Sequence, residues 1–157
     1  MSTLRFTRRT LANTLAAAGV LVGMALAGAA QAGECPADKM KVGAMPPSNV
    51  AAAGVTDTVI GSIDVAEQLP ALDGYQIRTR TLEIQPGGIV PWHSHEGRPA
   101  LIYVLEGEVQ EISSDCQVPI AHHAGDISAE TVGVAHWWHN TGDTVVRLLA
   151  SDIVPVE

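Results

Sequence analysis

Three histidines of this chain sit where their side chains could act together. His93 and His95 lie one residue apart in Pro91-Trp92-His93-Ser94-His95, and residues two apart in extended backbone point to the same side. A third, His136, follows Gly133 on a later apolar segment. Neutral imidazole is a common ligand for divalent transition metals, and three converging on one point leave half of an octahedral shell open for water, dioxygen or substrate. Because such a ligand set carries no charge, the ion would keep its full positive charge and favour a carboxylate, enolate or thiolate at the open positions.

Other residues are candidates for the surroundings of such a site. Arg98 offers bidentate pairing to an anionic substrate, or an ordinary ion pair with one of the chain's many acids. Trp138 shares the strand parity of His136, so it either walls a cavity and holds a planar ligand or fills the core. Tyr103 would place its hydroxyl near the ion as a donor to bound oxygen, or pack in the core. His139, three residues after His136, faces the other way. His122-His123 falls in a loop flanked by proline and glycine, and no role is assigned to it. Glu96 is the nearest carboxylate to the His93/His95 pair, but in continuous strand it points away from them, so it serves as a ligand only if the chain turns at Gly97-Arg98-Pro99 and is otherwise a solvated loop carboxylate.

The elements that must position these residues read as β-strands. Short segments rich in Val, Ile, Thr and Leu are cut by Pro86-Gly87-Gly88, Glu106-Gly107, Ala124-Gly125-Asp126, Val132-Gly133 and Thr141-Gly142-Asp143, the punctuation of an all-β sandwich or barrel. The pattern predicts strands over Tyr75–Ile84, Ala100–Leu105, Glu108–Ser113, Gly125–Ser128, Ala135–His139 and Val145–Asp152. A single helical turn is expected at Val65–Leu69. The run Ala100-Leu-Ile-Tyr-Val-Leu105 is apolar at both parities and is expected as a central strand.

Residues 1–32 carry an arginine-rich head, an apolar run and the ending Ala30-Gln31-Ala32, which together predict a secretory signal peptide. Thr7-Arg8-Arg9-Thr10-Leu11 also resembles a twin-arginine export signal. The 157-residue chain has nine basic and 17 acidic residues; removing Arg5, Arg8 and Arg9 leaves six against 17, a formal charge of −11. Such a surface repels nucleic acid and anionic lipid. A periplasmic or secreted protein with a small-molecule ligand is therefore expected, with no nucleic-acid partner and no membrane association after cleavage; an exposed apolar sheet face would allow a homodimer. Residues 33–55 read as an extended arm and 56–157 as one domain. Cys35 and Cys116 could form one disulfide tying the arm to a loop, or remain free thiols.

Gly87-Gly-Ile-Val-Pro-Trp-His93-Ser-His95 followed by Gly107 resembles the first motif of the cupin superfamily. Gly125, Gly133, His136 and Asn140 resemble the second, with Thr131 where proline is usual. The resemblance implies a single jelly-roll β-barrel holding a divalent metal on His93, His95 and His136. Where the pattern expects its acidic ligand beyond His95, this sequence has Ala100, so the site is similar to that of three-histidine cupin dioxygenases or recruits another fourth ligand. Fe(II) is the expected ion, with Mn, Zn, Ni and Cu as alternatives. Three functions follow as expectations: a metal-dependent dioxygenase acting on a small anionic or planar molecule, a non-catalytic periplasmic binder of small molecules or metal, and a metal-assisted isomerase or lyase. For the last, His139 or Glu96 would be the base.

Overall fold

One long strand organises the domain. In the computed structural model, which describes residues 33–156, the eight strands are β1 (Ala53–Asp64), β2 (Tyr75–Ser94), β3 (Ala100–Glu106), β4 (Glu108–Ser113), β5 (Ile120–His123), β6 (Ile127–Glu130), β7 (Ala135–His139) and β8 (Val146–Pro155). The expected signal segment lies outside the described residues. All pairings are antiparallel, in the order β5-β4-β7-β2-β8-β3-β6, with β1 on the other edge of β2. The first half of β2 pairs with β1 and β8, from Tyr75↔Pro155 to Ile84↔Val146. Its second half crosses to the other layer and pairs with β7, from Ile89↔His139 to Ser94↔Ala135. The result is the expected all-β jelly-roll barrel.

The crossing is made at Pro86-Gly87-Gly88. Gly87 takes a φ of 75°, which suits glycine. A Cβ at Gly88 would come within 2.7 Å of the Gln85 carbonyl oxygen and 2.8 Å of Ile84 Cγ2. Asn140, in the second motif, fastens this bend from the far side: its backbone exchanges hydrogen bonds with Gly87 N–H and Gly88 C=O, while its buried amide donates to Ile84 O at 2.9 Å and Thr144 O at 2.8 Å. Between the layers lies a core of Leu82, Ile84, Ile102, Val104, Val146 and Leu148, with Trp138 against it.

Several elements differ from the sequence reading. No strand was expected before Tyr75, yet β1 runs for 12 residues and begins two positions before the arm was expected to end. Its residues are mostly exposed, and although Val55, Val59 and Ile63 share one parity, Asp57 and Gly61 interrupt the apolar series; its ladder with β2 holds it as a strand. β5 was read as loop, and Val65–Leu69 forms a hydrogen-bonded turn with Leu69 N–H on Val65 O, the 3₁₀ turn following at Pro70–Leu72. In β3 only alternate residues are buried: Ala100, Ile102 and Val104 face the core, while Leu101, Tyr103 and Leu105 lie on the outer face. The apolar character at both parities therefore marks an exposed apolar face rather than a doubly covered strand.

The arm is anchored rather than loose. Cys35 and Cys116 are disulfide-bonded across a sequence separation of 81, and Lys41 N–H donates to Asp115 O at 2.9 Å. A bridge that closes so long a loop restricts the unfolded chain strongly. Replacing both cysteines with serine is expected to lower the unfolding free energy by about 3–4 kcal/mol, read from the urea midpoint of the oxidised parent and the variant.

Candidate metal centre

His93, near the end of β2, and His136 on β7 are direct cross-strand partners. Their side chains are therefore neighbours on one face, and the ring centroids lie 4.6 Å apart. His95 follows β2 and opens the turn His95-Glu96-Gly97-Arg98, which closes with Arg98 N–H on His95 O. Its ring stands 5.0 Å from His93 and 5.1 Å from His136. The three histidines can each offer a ligand atom within one small volume.

Their hydrogen bonds fix which nitrogen faces that volume. His93 Nδ1 is 2.8 Å from Pro91 O, His95 Nδ1 is 3.0 Å from Arg98 O, and His136 Nδ1 is 2.8 Å from Glu111 Oε1. Carbonyls and carboxylates accept, so each Nδ1 carries the proton and each Nε2 presents a lone pair. Burial holds the pKa of both His93 and His95 down at about 4, so both rings are neutral near pH 7. Yet His93 Nε2 and His95 Nε2 face each other at 3.1 Å, and His136 Nε2 is buried without a partner among the described residues. Two lone pairs at that distance repel. A divalent cation resolves the conflict, because ligands about 2.1 Å from one ion at right angles are about 3.0 Å apart.

Carboxylates unassigned by sequence support the cluster. Glu111, on β4, is buried and reaches two rings, with Oε1 on His136 and Oε2 at 2.8 Å from His122 Nε2. Burial opposes its charge, but the hydrogen bonds from His122 and His136 outweigh that and hold its pKa at about 2. His122, expected in a loop without a role, is instead fully buried on β5 and stacks on Trp138 at 4.6 Å. Glu130, on β6, is also buried, with Oε2 3.3 Å from His136 Nδ1 and 4.0 Å from His95 Nε2; burial pushes its pKa up. The available signal for both carboxylates was parity: Val109 and Glu111 share one buried face of β4, and Ser128 and Glu130 share one of β6.

The histidines open onto a cavity of about 360 Å³. Trp138 and Arg98 line it, together with Val55, Leu148 and an unanticipated Arg80. Arg78, Arg80 and Arg98 all reach Asp152, at 2.9, 3.4 and 3.3 Å, and Arg80 also pairs with Asp57. Arg98 thus combines the two roles considered for it, a cavity-lining cation and an ion-pair partner. Among the described residues Arg80 Nε is a buried donor without an acceptor. Tyr103 lies on the outer face and outside the cavity lining, so its hydroxyl does not meet the three rings. Glu96 is exposed in the turn, and His139 faces away from the site, stacked on Trp137 at 5.7 Å.

A family model described as "Cupin domain" matches residues 80–152, the span that contains all three histidines. A germin-like protein (8-14) of Oryza sativa is 31% identical over 108 residues, covering 66% of this chain and 48% of the relative. Auxin-binding protein ABP19b of Prunus persica is 34% identical over 83 residues, covering 50% and 39%. The chain thus spans about half the length, or less, of these curated relatives. Among solved structures, the cupin domain of Schizosaccharomyces pombe Cnp3 superposes with a TM-score of 0.51 at 12% identity, covering 66% of this chain and 63% of that one; at that identity the likeness concerns the fold alone. The chain belongs to the cupin superfamily, and its barrel carries histidine and glutamate groups able to hold a metal.

Two outcomes follow for the metal-free protein. His93 and His95 titrate near 4 when folded against an ordinary value of 6.5, so between those values the unfolded chain binds more protons. Stability should fall as pH drops from about 6.5 toward 4, and the decline should flatten in His93→Gln and His95→Gln, as read from urea midpoints across that range. Glu111→Ala leaves two buried rings without their acceptor and should cost about 3 kcal/mol or more, with the near-ultraviolet signal of Trp138 altered.

Proposed function

We propose that this protein is an exported, metal-dependent cupin oxygenase that binds a small planar anion beside a divalent metal, most simply Fe(II), held by His93, His95 and His136. The observation that carries the reading is the convergence of three tautomer-fixed Nε2 lone pairs on the wall of an apolar cavity that also contains arginine. The disulfide supports an oxidising compartment.

When bound, a redox-active ion with open positions supplies adjacent sites for dioxygen and substrate and carries the electron transfer between them. The chain's own residues do the rest. Pro91 O, Arg98 O and Glu111 keep the three rings oriented and their Nδ1 protons in place. Arg98 and the free Arg80 Nε–H hold the substrate's anionic group, while Trp138 offers an aromatic surface to a planar body. Val55, Val90 and Leu148 exclude bulk water, which strengthens each charged contact inside.

The test is oxygen uptake by protein reconstituted with Fe(II) or Mn(II), screened over planar carboxylates and enolates. Substrate-dependent uptake is expected, lost in His136→Ala together with the metal. Arg80→Lys keeps the charge but loses the Nε–H, so KM should rise about tenfold, the equivalent of one charge-assisted hydrogen bond, with kcat nearly unchanged. Stoichiometric metal and ligand binding without uptake would favour a non-catalytic binding protein instead.

A further inference from the structure

We propose that Glu130 is the fourth protein ligand of this site, supplied by β6 in place of the carboxylate missing at Ala100. The inference rests on the metal-binding reading and specifies how the first motif's gap is filled. Ala100 and Glu130 are direct cross-strand partners, and both are buried. Directly paired residues project to the same face with Cβ atoms about 5 Å apart, so a glutamate at 130 reaches the region that a glutamate at 100 would. The small side chain at 100 leaves room for it.

The distance to His95 agrees. Glu130 Oε2 lies 4.0 Å from His95 Nε2, within the range of about 3.0–4.2 Å spanned by two ligands each about 2.1 Å from one ion. Glu130 also lines the cavity onto which the histidines open. Orienting His136 does not account for it, because His136 has a single Nδ1 proton and Glu111 takes that at 2.8 Å, against 3.3 Å for Glu130. Among the described residues its one hydrogen bond is from the neutral hydroxyl of Ser128, 2.8 Å from Oε1. A buried carboxylate so placed either takes up a proton or pairs with a cation, and the three Nε2 lone pairs mark where a cation would bind. With Glu130 engaged, the ligand set carries one negative charge and an octahedral ion keeps two open positions instead of three.

The experiment titrates chelator-stripped protein with Mn(II) alone, following free Mn(II) by electron paramagnetic resonance. The parent is compared with Glu130→Gln and with the relocated double variant Ala100→Glu/Glu130→Ala. Expected are one site in the parent, at least 100-fold weaker binding in Glu130→Gln, and at least tenfold recovery in the relocated variant. Loss of an outer partner alone costs about 10–100-fold, so a loss below 100-fold, or no recovery, overturns the assignment while leaving the metal reading intact. Absence of binding by the parent overturns both. Should Glu130→Gln fail to fold, the Mn(II)-minus-apo infrared difference spectrum of the parent decides: a carboxylate shifted by coordination supports Glu130, and an unchanged carboxylate region overturns it.

Discussion

The placement of three protons governs this site. Pro91 O, Arg98 O and Glu111 each take an Nδ1–H, so His93, His95 and His136 have no choice of tautomer and turn three lone pairs toward one another. An isolated chain would avoid that arrangement, since it places acceptors against acceptors in a poorly solvated volume. The fold imposes it through register: β2 and β7 pair His93 with His136, and the turn after Ser94 returns Arg98 O to His95. The local conflict is the kind tolerated where a ligand relieves it.

Electrostatic support extends outward from that centre. Glu111 joins His136 to His122, and His122 stacks on Trp138, whose ring also forms part of the cavity wall. On another side Asp152, almost entirely buried, collects Arg78, Arg80 and Arg98, and their hydrogen bonds and charges hold its pKa down against the opposing effect of burial. The arginines at the cavity are thus held in place by a carboxylate behind them, and rigid cations recognise an anion at less entropic cost than mobile ones. Three of the chain's nine basic residues are gathered here.

The three histidines were legible in the sequence because two regularities sufficed: period-two parity for His93 and His95, and a second motif ending in His136 and Asn140. Glu111 and Glu130 were not, because a strand's charged residue can face either solvent or core, and sharing a parity with Val109 or Ser128 tells which only once that parity is known to face inward. His122 was read with the proline and glycine around it, although β5 is short enough to fit between them. Tyr103 shows the converse limit: a run apolar at both parities does not reveal which parity is inside, and Ala100, Ile102 and Val104 occupy that side. β1 carries Val55, Val59 and Ile63 at one parity, but Asp57 and Gly61 break the series and nearly every residue is exposed, so its ladder with β2, further along the chain, is what defines it.

The sharing of β2 between both layers bears on how the protein reaches its folded state. Its first half must find β8, near the far end of the domain, and its second half must find β7. Such pairings require large loops to close before they return any stabilisation, which makes folding slow. His93 and His136 meet only when the second of these ladders has formed. An ion bound by these histidines would not nucleate the barrel as it nucleates a small zinc domain; it would enter a finished cage, slow the reopening of the β2–β7 ladder, and so lengthen the lifetime of the folded chain more than it would hasten its birth.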